Sequence, residues 1–134
     1  MLNVEKRVVD PDVAVFALAG KLTLGRDCQR VEWLVDDLLR EGKPSVIFDF
    51  SGLTFIDSAG VGIVVMCYGK IKKAGGKLVL AGATGYVENT FKMTHVNRVI
   101  QMLPNVEAAA ASFATPPSGR ADSPPGSGTE PPAR

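Results

Sequence analysis

The apolar positions of this chain change period several times, and each change marks an element. Near the middle, Val46, Ile47, Phe48 and Phe50 form a short run rich in β-branched and aromatic residues, the pattern of a strand covered on both faces by helices. Ser51-Gly52 is expected to turn the chain after it. From Ser58 the spacing becomes helical, with Val61, Val64, Val65, Tyr68 and Ile71 on one side, until Gly75-Gly76 ends the helix. Leu78, Val79 and Leu80 then read as a second buried strand. Strand, crossover helix and strand make a βαβ unit, so the two strands are expected to run parallel with a right-handed crossover. The loop after the first strand, which holds Asp57 and Ser58, then falls where such sheets meet ligands and partners.

Upstream, Val4 to Val9 and Val13 to Leu18 read as an antiparallel pair joined by a turn at Asp10-Pro11-Asp12. Gly20 to Gly25 is expected to be a loop, followed by a helix from about Arg26 to Glu41 that Gly42 and Pro44 end. On that helix Val31, Leu34, Val35 and Leu38 make one stripe, with Leu39 at its margin and Arg30, Asp36, Asp37 and Arg40 opposite. Trp33 falls on the charged side; its ring is expected to lie flat at the core boundary, the alternative being a contact residue. Downstream, Thr84 to Met93 predicts a helix capped by Thr84, with Val87, Thr90 and Phe91 inward. Val99-Ile100 is expected as a last short strand, and Asn105 to Phe113 as a closing helix. The fold class is therefore α/β, with one domain over residues 1–114. From Thr115 proline, glycine and serine dominate, so residues 115–134 are expected to form a disordered tail.

Charge and composition narrow the function classes. Fifteen lysines and arginines against 14 aspartates and glutamates leave no strong field to draw nucleic acid or an anionic membrane. The one basic cluster, Lys70, Lys72, Lys73 and Lys77, lies at a helix carboxyl end, where cations are expected anyway. With no apolar run long enough to span a bilayer and no basic leader, the protein is expected in the cytoplasm, without membrane insertion. Cys28 and Cys67 have neither redox nor metal spacing and read as reduced thiols.

Three roles are open to Ser58. As a nucleophile it lacks a base: the only histidine is His95, with no acid beside it in sequence to orient it, and the segment is not a G-x-S-x-G elbow. As a cap, either Asp57 or Ser58 would satisfy the free amides of the first turn. As a phosphoacceptor, its hydroxyl would stand at a helix start whose amides favour an anion. The glycines that follow favour a role beyond capping. Ser58, Gly62, Met66, Gly69 and Lys73 line one helix face, and interior glycine costs about 0.5–1 kcal/mol against alanine, so something is expected to approach closely there.

Phe55-Ile56-Asp57-Ser58-Ala59-Gly60-Val61-Gly62, preceded by Val46 to Phe50 and followed by Gly75-Gly76-Lys77-Leu78, resembles the STAS domain of bacterial anti-sigma factor antagonists, with element order matching over about Val4 to Phe113. The resemblance implies a mixed, mostly parallel sheet with an antiparallel first strand, flanked by helices. It also implies a non-enzymatic regulator without a cofactor or metal, which takes part in partner switching. The unphosphorylated antagonist binds an anti-sigma factor that is also a serine kinase, phosphorylation of the motif serine, here Ser58, ends binding, and a serine phosphatase restores it. The partner-facing residues carried over are Thr23, Asp57, Ser58, Ala59, Gly60, Gly62 and Met66. Many relatives have an acidic residue in the loop after the second strand, where this chain has Lys21 and Thr23. The alternative within the family is an accessory subunit of a lipid-transport ATPase or a stress-signalling scaffold, in which Ser58 is only a cap and contact.

Overall fold

Val46, Ile47, Phe48 and Phe50 are each shielded from solvent, and the strand they occupy is the middle one of the sheet. The computed structural model describes residues 2–9, 12–42 and 44–114. The order is β1 (Leu2–Val9), β2 (Val13–Leu22), α1 (Arg26–Arg40), β3 (Ser45–Ile56), α2 (Ser58–Lys73), β4 (Lys77–Ala81), α3 (Gly85–Met93), β5 (Gln101–Leu103) and α4 (Val106–Ala114). A single 3-10 turn, Val96–Arg98, precedes β5 among the described residues. The five strands lie side by side in chain order, β1 antiparallel to β2 and every later pair parallel. This is the mixed sheet the sequence predicts.

Alternation along the strands sorts side chains into two layers. Ala14, Phe16 and Leu18 of β2 and Val46, Phe48 and Phe50 of β3 pack with Val31, Val35 and Leu38 of α1, Val61, Val64 and Ile71 of α2, and Val87 and Phe91 of α3. Phe16, Phe48, Phe50 and Phe91 form a chain of ring contacts through this layer, with centroids 5.5–6.1 Å apart. The opposite layer is thinner. Val13, Val15, Ile47, Val79 and Ala81 meet the alanine-rich α4 at Ala109, flanked by Val106, Ala110 and Phe113. A fully buried side chain of this size contributes about 1.5–3 kcal/mol relative to an exposed one, so the first layer dominates stability.

Several boundaries differ from the sequence expectation. Ser51-Gly52 does not turn the chain: β3 runs through it, pairing Ala19 with Gly52 and Leu22 with Ile56, with irregularities between Ala17 and Ala19 and between Gly20 and Lys21. A Cβ at Gly52 would come within 2.9 Å of the Ala19 Cβ, so this glycine admits a neighbouring strand. The same pairing draws Gly20, Lys21 and Leu22 out of the expected loop and into β2. The last strand begins at Gln101 and not at Val99, because His95 takes a left-handed conformation (φ 63°) after α3 and the 3-10 turn consumes the next residues. Thr84 holds the N-cap position of α3, but its side chain makes no capping bond. Trp33 is 59% exposed and is not among the side chains packed against the core. The expected turn at Asp10-Pro11 and the tail from residue 115 lie outside the described residues.

Candidate functional site

β3 ends at Ile56, and the chain passes through Asp57 in extended conformation before α2 begins at Ser58. The Asp57 carboxylate accepts the Gly60 N–H at 2.8 Å, which makes it the helix cap. Its other oxygen accepts the Leu24 N–H at 3.0 Å, and the Asp57 N–H donates to the Leu22 carbonyl at 3.2 Å. One residue thus ties the β2–α1 loop to the start of α2. The Leu24 and Gly60 amides hold the Asp57 carboxyl below its ordinary range, outweighing the opposing effect of desolvation.

Because Asp57 caps, Ser58 does not have to. Ser58 is exposed at the first helical position, and among the described residues no group hydrogen-bonds its hydroxyl. The two candidates that sequence leaves open for one role therefore have separate ones. The remaining first-turn amides and the helix dipole make this an electropositive end, favourable to an anion.

The rest of α2 divides into an inner and an outer face. Gly60, Val61, Ile63, Val64, Cys67 and Ile71 are buried, whereas Ser58, Gly62, Met66, Gly69 and Lys73 are exposed. Gly60 belongs to the packing and not to the surface: a Cβ there would stand 2.5 Å from the Leu22 carbonyl oxygen and 2.6 Å from Ile56 Cγ1. A Cβ on Gly62 or Gly69 would meet nothing within 4 Å. The glycine track therefore accommodates no neighbour from the described part of this chain. One member of the expected apolar stripe departs from it, Val65 being 41% exposed; Tyr68 packs half-buried against the core, and Ile63 and Cys67 also point inward. The buried arc is shifted because α2 packs on α1 as well as on the sheet. Lys70 of α2 reaches across to Glu32 at 2.8 Å and Asp36 at 2.9 Å of α1.

The other expected site residues fall around this start. Thr23 is half-buried in the loop, its carbonyl accepting the Cys28 thiol at 3.1 Å, and Leu24 beside it is 80% exposed. Ala59 is half-buried against the core, and Met66 is 40% exposed on the outer face. The Leu24–Asp57 bond brings the Thr23 loop and the Ser58 turn together. Sequence reasoning missed Leu24 as a joint, since a backbone amide leaves no trace in residue type. It also missed the stacking of Phe55 on Tyr86 at the start of α3, with centroids 5.1 Å apart.

Other chemistry is scarce here. Among the described residues no group of three or more His, Cys, Asp or Glu side chains is placed to hold a metal ion. Cys28 and Cys67 are free and buried, and burial pushes the Cys67 thiol up to about 12. His95 is exposed at the end of α3. The lysine cluster is dispersed: Lys70 is paired to α1, Lys72 lies over the Tyr68 ring, and Lys77 lies over the Phe113 ring, where burial lowers its pKa. No described helix is long and apolar enough to cross a membrane.

Comparison with known proteins places this geometry in context. The family model described as the STAS domain matches residues 5–109. A Thermotoga maritima protein provisionally named an anti-sigma factor antagonist is 23% identical over 103 residues, covering 77% of this chain and 90% of the relative. The unphosphorylated form of the Bacillus anti-sigma factor antagonist SpoIIAA superposes with a TM-score of 0.66 at 19% identity, over 84% of this chain and 97% of that one. Its phosphorylated form has the same score and identity, over 82% of this chain and 99% of that one. A sulfate transporter family protein from Wolinella succinogenes shares the fold too, with a TM-score of 0.71 at 17% identity over 81% of this chain and 89% of that one. At such identities the structural likeness speaks to the fold alone.

Proposed function

This chain belongs to the STAS domain family, and from that premise we propose that it is an anti-sigma factor antagonist, a regulatory binding protein and not an enzyme, switched at Ser58. In its unmodified state it docks onto an anti-sigma factor with serine kinase activity, through Ser58 and the outer face of α2. Phosphorylation of Ser58 by that partner ends docking, and a serine phosphatase restores it. The cycle runs in the cytoplasm.

The observation that carries this reading is the division of labour at the head of α2: Asp57 holds the helix start, and the Ser58 hydroxyl stands exposed beside it. Phosphate on Ser58 would meet the first-turn amides, so the fold should tolerate it. It would also add about 1.5–2 negative charges next to the Asp57 carboxylate, at the head of an open helix face. Docking would then require desolvating that charge. The switch acts on the surface and leaves the architecture in place.

The test compares Ser58→Asp and Ser58→Ala, each checked for an unchanged circular dichroism spectrum. The probe is a purified anti-sigma factor with serine kinase activity from the same genome, its binding measured by titration calorimetry. Ser58→Ala should bind at least as tightly as the parent and Ser58→Asp at least about tenfold more weakly, a difference of about 1.4 kcal/mol. Equal affinities would remove the switch and favour the accessory-subunit reading, in which Ser58 is only a contact.

A further inference from the structure

The opposite margin of the sheet, away from α2, carries a second feature. β1 is bonded to β2 on one side only, and among the described residues nothing beyond that ladder hydrogen-bonds the main chain of residues 3–9. Asn3, Glu5, Lys6, Arg7 and Val8 are exposed, Val8 at 55%. An open edge this long is a template for another strand, and charged side chains usually decide what it rejects.

Here the charges are self-complementary. A two-fold axis perpendicular to the sheet would set two β1 strands antiparallel and keep each face on its own side, so opposed residues must share a face. With the axis at Lys6, Glu5 stands opposite Arg7 of the second copy and Val4 opposite Val8 of the second copy, each pairing occurring twice. Every such register opposes one charged residue to its own copy at the axis, but moving the axis to Glu5 or to Arg7 also loses both Glu5–Arg7 pairs, leaving no attractive pair to offset the repulsion. Lys6 meets its own copy at the axis, where Glu41 of the same chain lies 3.8 Å from its ammonium group and moderates the repulsion. Within one chain neither Glu5 nor Arg7 has an ion-pair partner among the described residues. Both are available.

We propose that β1 is a homodimerisation edge, joining two copies of this chain antiparallel about Lys6 into one continuous sheet, with Glu5–Arg7 and Val4–Val8 pairs across the seam. α1 lies between this edge and α2, so each copy keeps its Ser58 face free. The particle is then bivalent for whatever docks there.

Sedimentation velocity of the full chain over a range of concentrations tests this. The parent should show reversible dimer formation that weakens as salt is raised. Glu5→Arg and Arg7→Glu each convert two attractive cross-strand pairs into two repulsive ones, so each should weaken self-association about tenfold or more. Mixed together, the two variants should associate with each other, because only the hetero-pair restores opposite charges at both positions. Unchanged melting temperatures would show that both variants fold. A parent chain that stays monomeric throughout, single variants that dimerise as well as the parent, or a mixture that does not associate would each overturn the proposal.

Discussion

Gly60 and Gly62 sit two residues apart in one helix and do opposite work. Gly60 is pressed against the Leu22 carbonyl and Ile56, with no room for a methyl group, whereas the Cα of Gly62 looks into open space. The first is required by packing inside the chain; the second has no reason among the described residues to be glycine and lies on the face that begins at Ser58. A helix that carries both is fixed tightly on one side and left deliberately flat on the other. The inner face holds Ser58 in position, and in the proposed cycle the outer face is where a partner would approach closely.

The contrast is sharpest under the same substitution at both positions. Gly60→Leu should cost about 3 kcal/mol or more, since the new side chain must displace backbone as well as side-chain atoms; urea denaturation measures it. Gly62→Leu should leave the melting temperature unchanged or slightly higher, because leucine exceeds glycine in helix propensity by about 0.8 kcal/mol. It should nevertheless weaken binding to the anti-sigma partner about tenfold, as read by calorimetry. If Gly62→Leu lowers stability more than binding, the outer face is part of the fold and the contrast collapses.

Asp57 joins the two faces, and its effect should be smaller. Asp57→Ala loses the cap and the tie to Leu24, a cost of about 1–2 kcal/mol. The sign with pH follows from linkage. The folded-state pKa of Asp57 lies below its unfolded value of about 3.9, so its contribution is complete above that value and disappears as pH falls through the folded pKa. Asp57→Asn keeps a capping oxygen without the charge, and the variant's stability should fall less steeply than the parent's in that acid range. Identical acid limbs for parent and variant would show that the Leu24 and Gly60 amides do not favour the ionised carboxylate.

Much of this was legible in the chain because it is local. The change from a β-branched run at Val46 to Phe50 to helical spacing after Ser58 predicts the central βαβ unit, which the structure contains. Gly52 was misread as a turn because residue type alone cannot distinguish a glycine that bends the chain from one that admits Ala19. The outward rotation of Val65 was hidden for a similar reason, since α2 packs against α1 as well as the sheet.

The sequence by itself determined the mixed sheet, the helix that starts at Asp57-Ser58 and the glycines along its outer face, since hydrophobic period and capping chemistry act over a few residues. Only the tertiary structure decided that Asp57 is the cap and Ser58 is left exposed, and that Gly60 is sealed while Gly62 is open. Those outcomes depend on Leu22 and Leu24, the latter 33 residues away along the chain, which β2 and its loop carry to the head of α2.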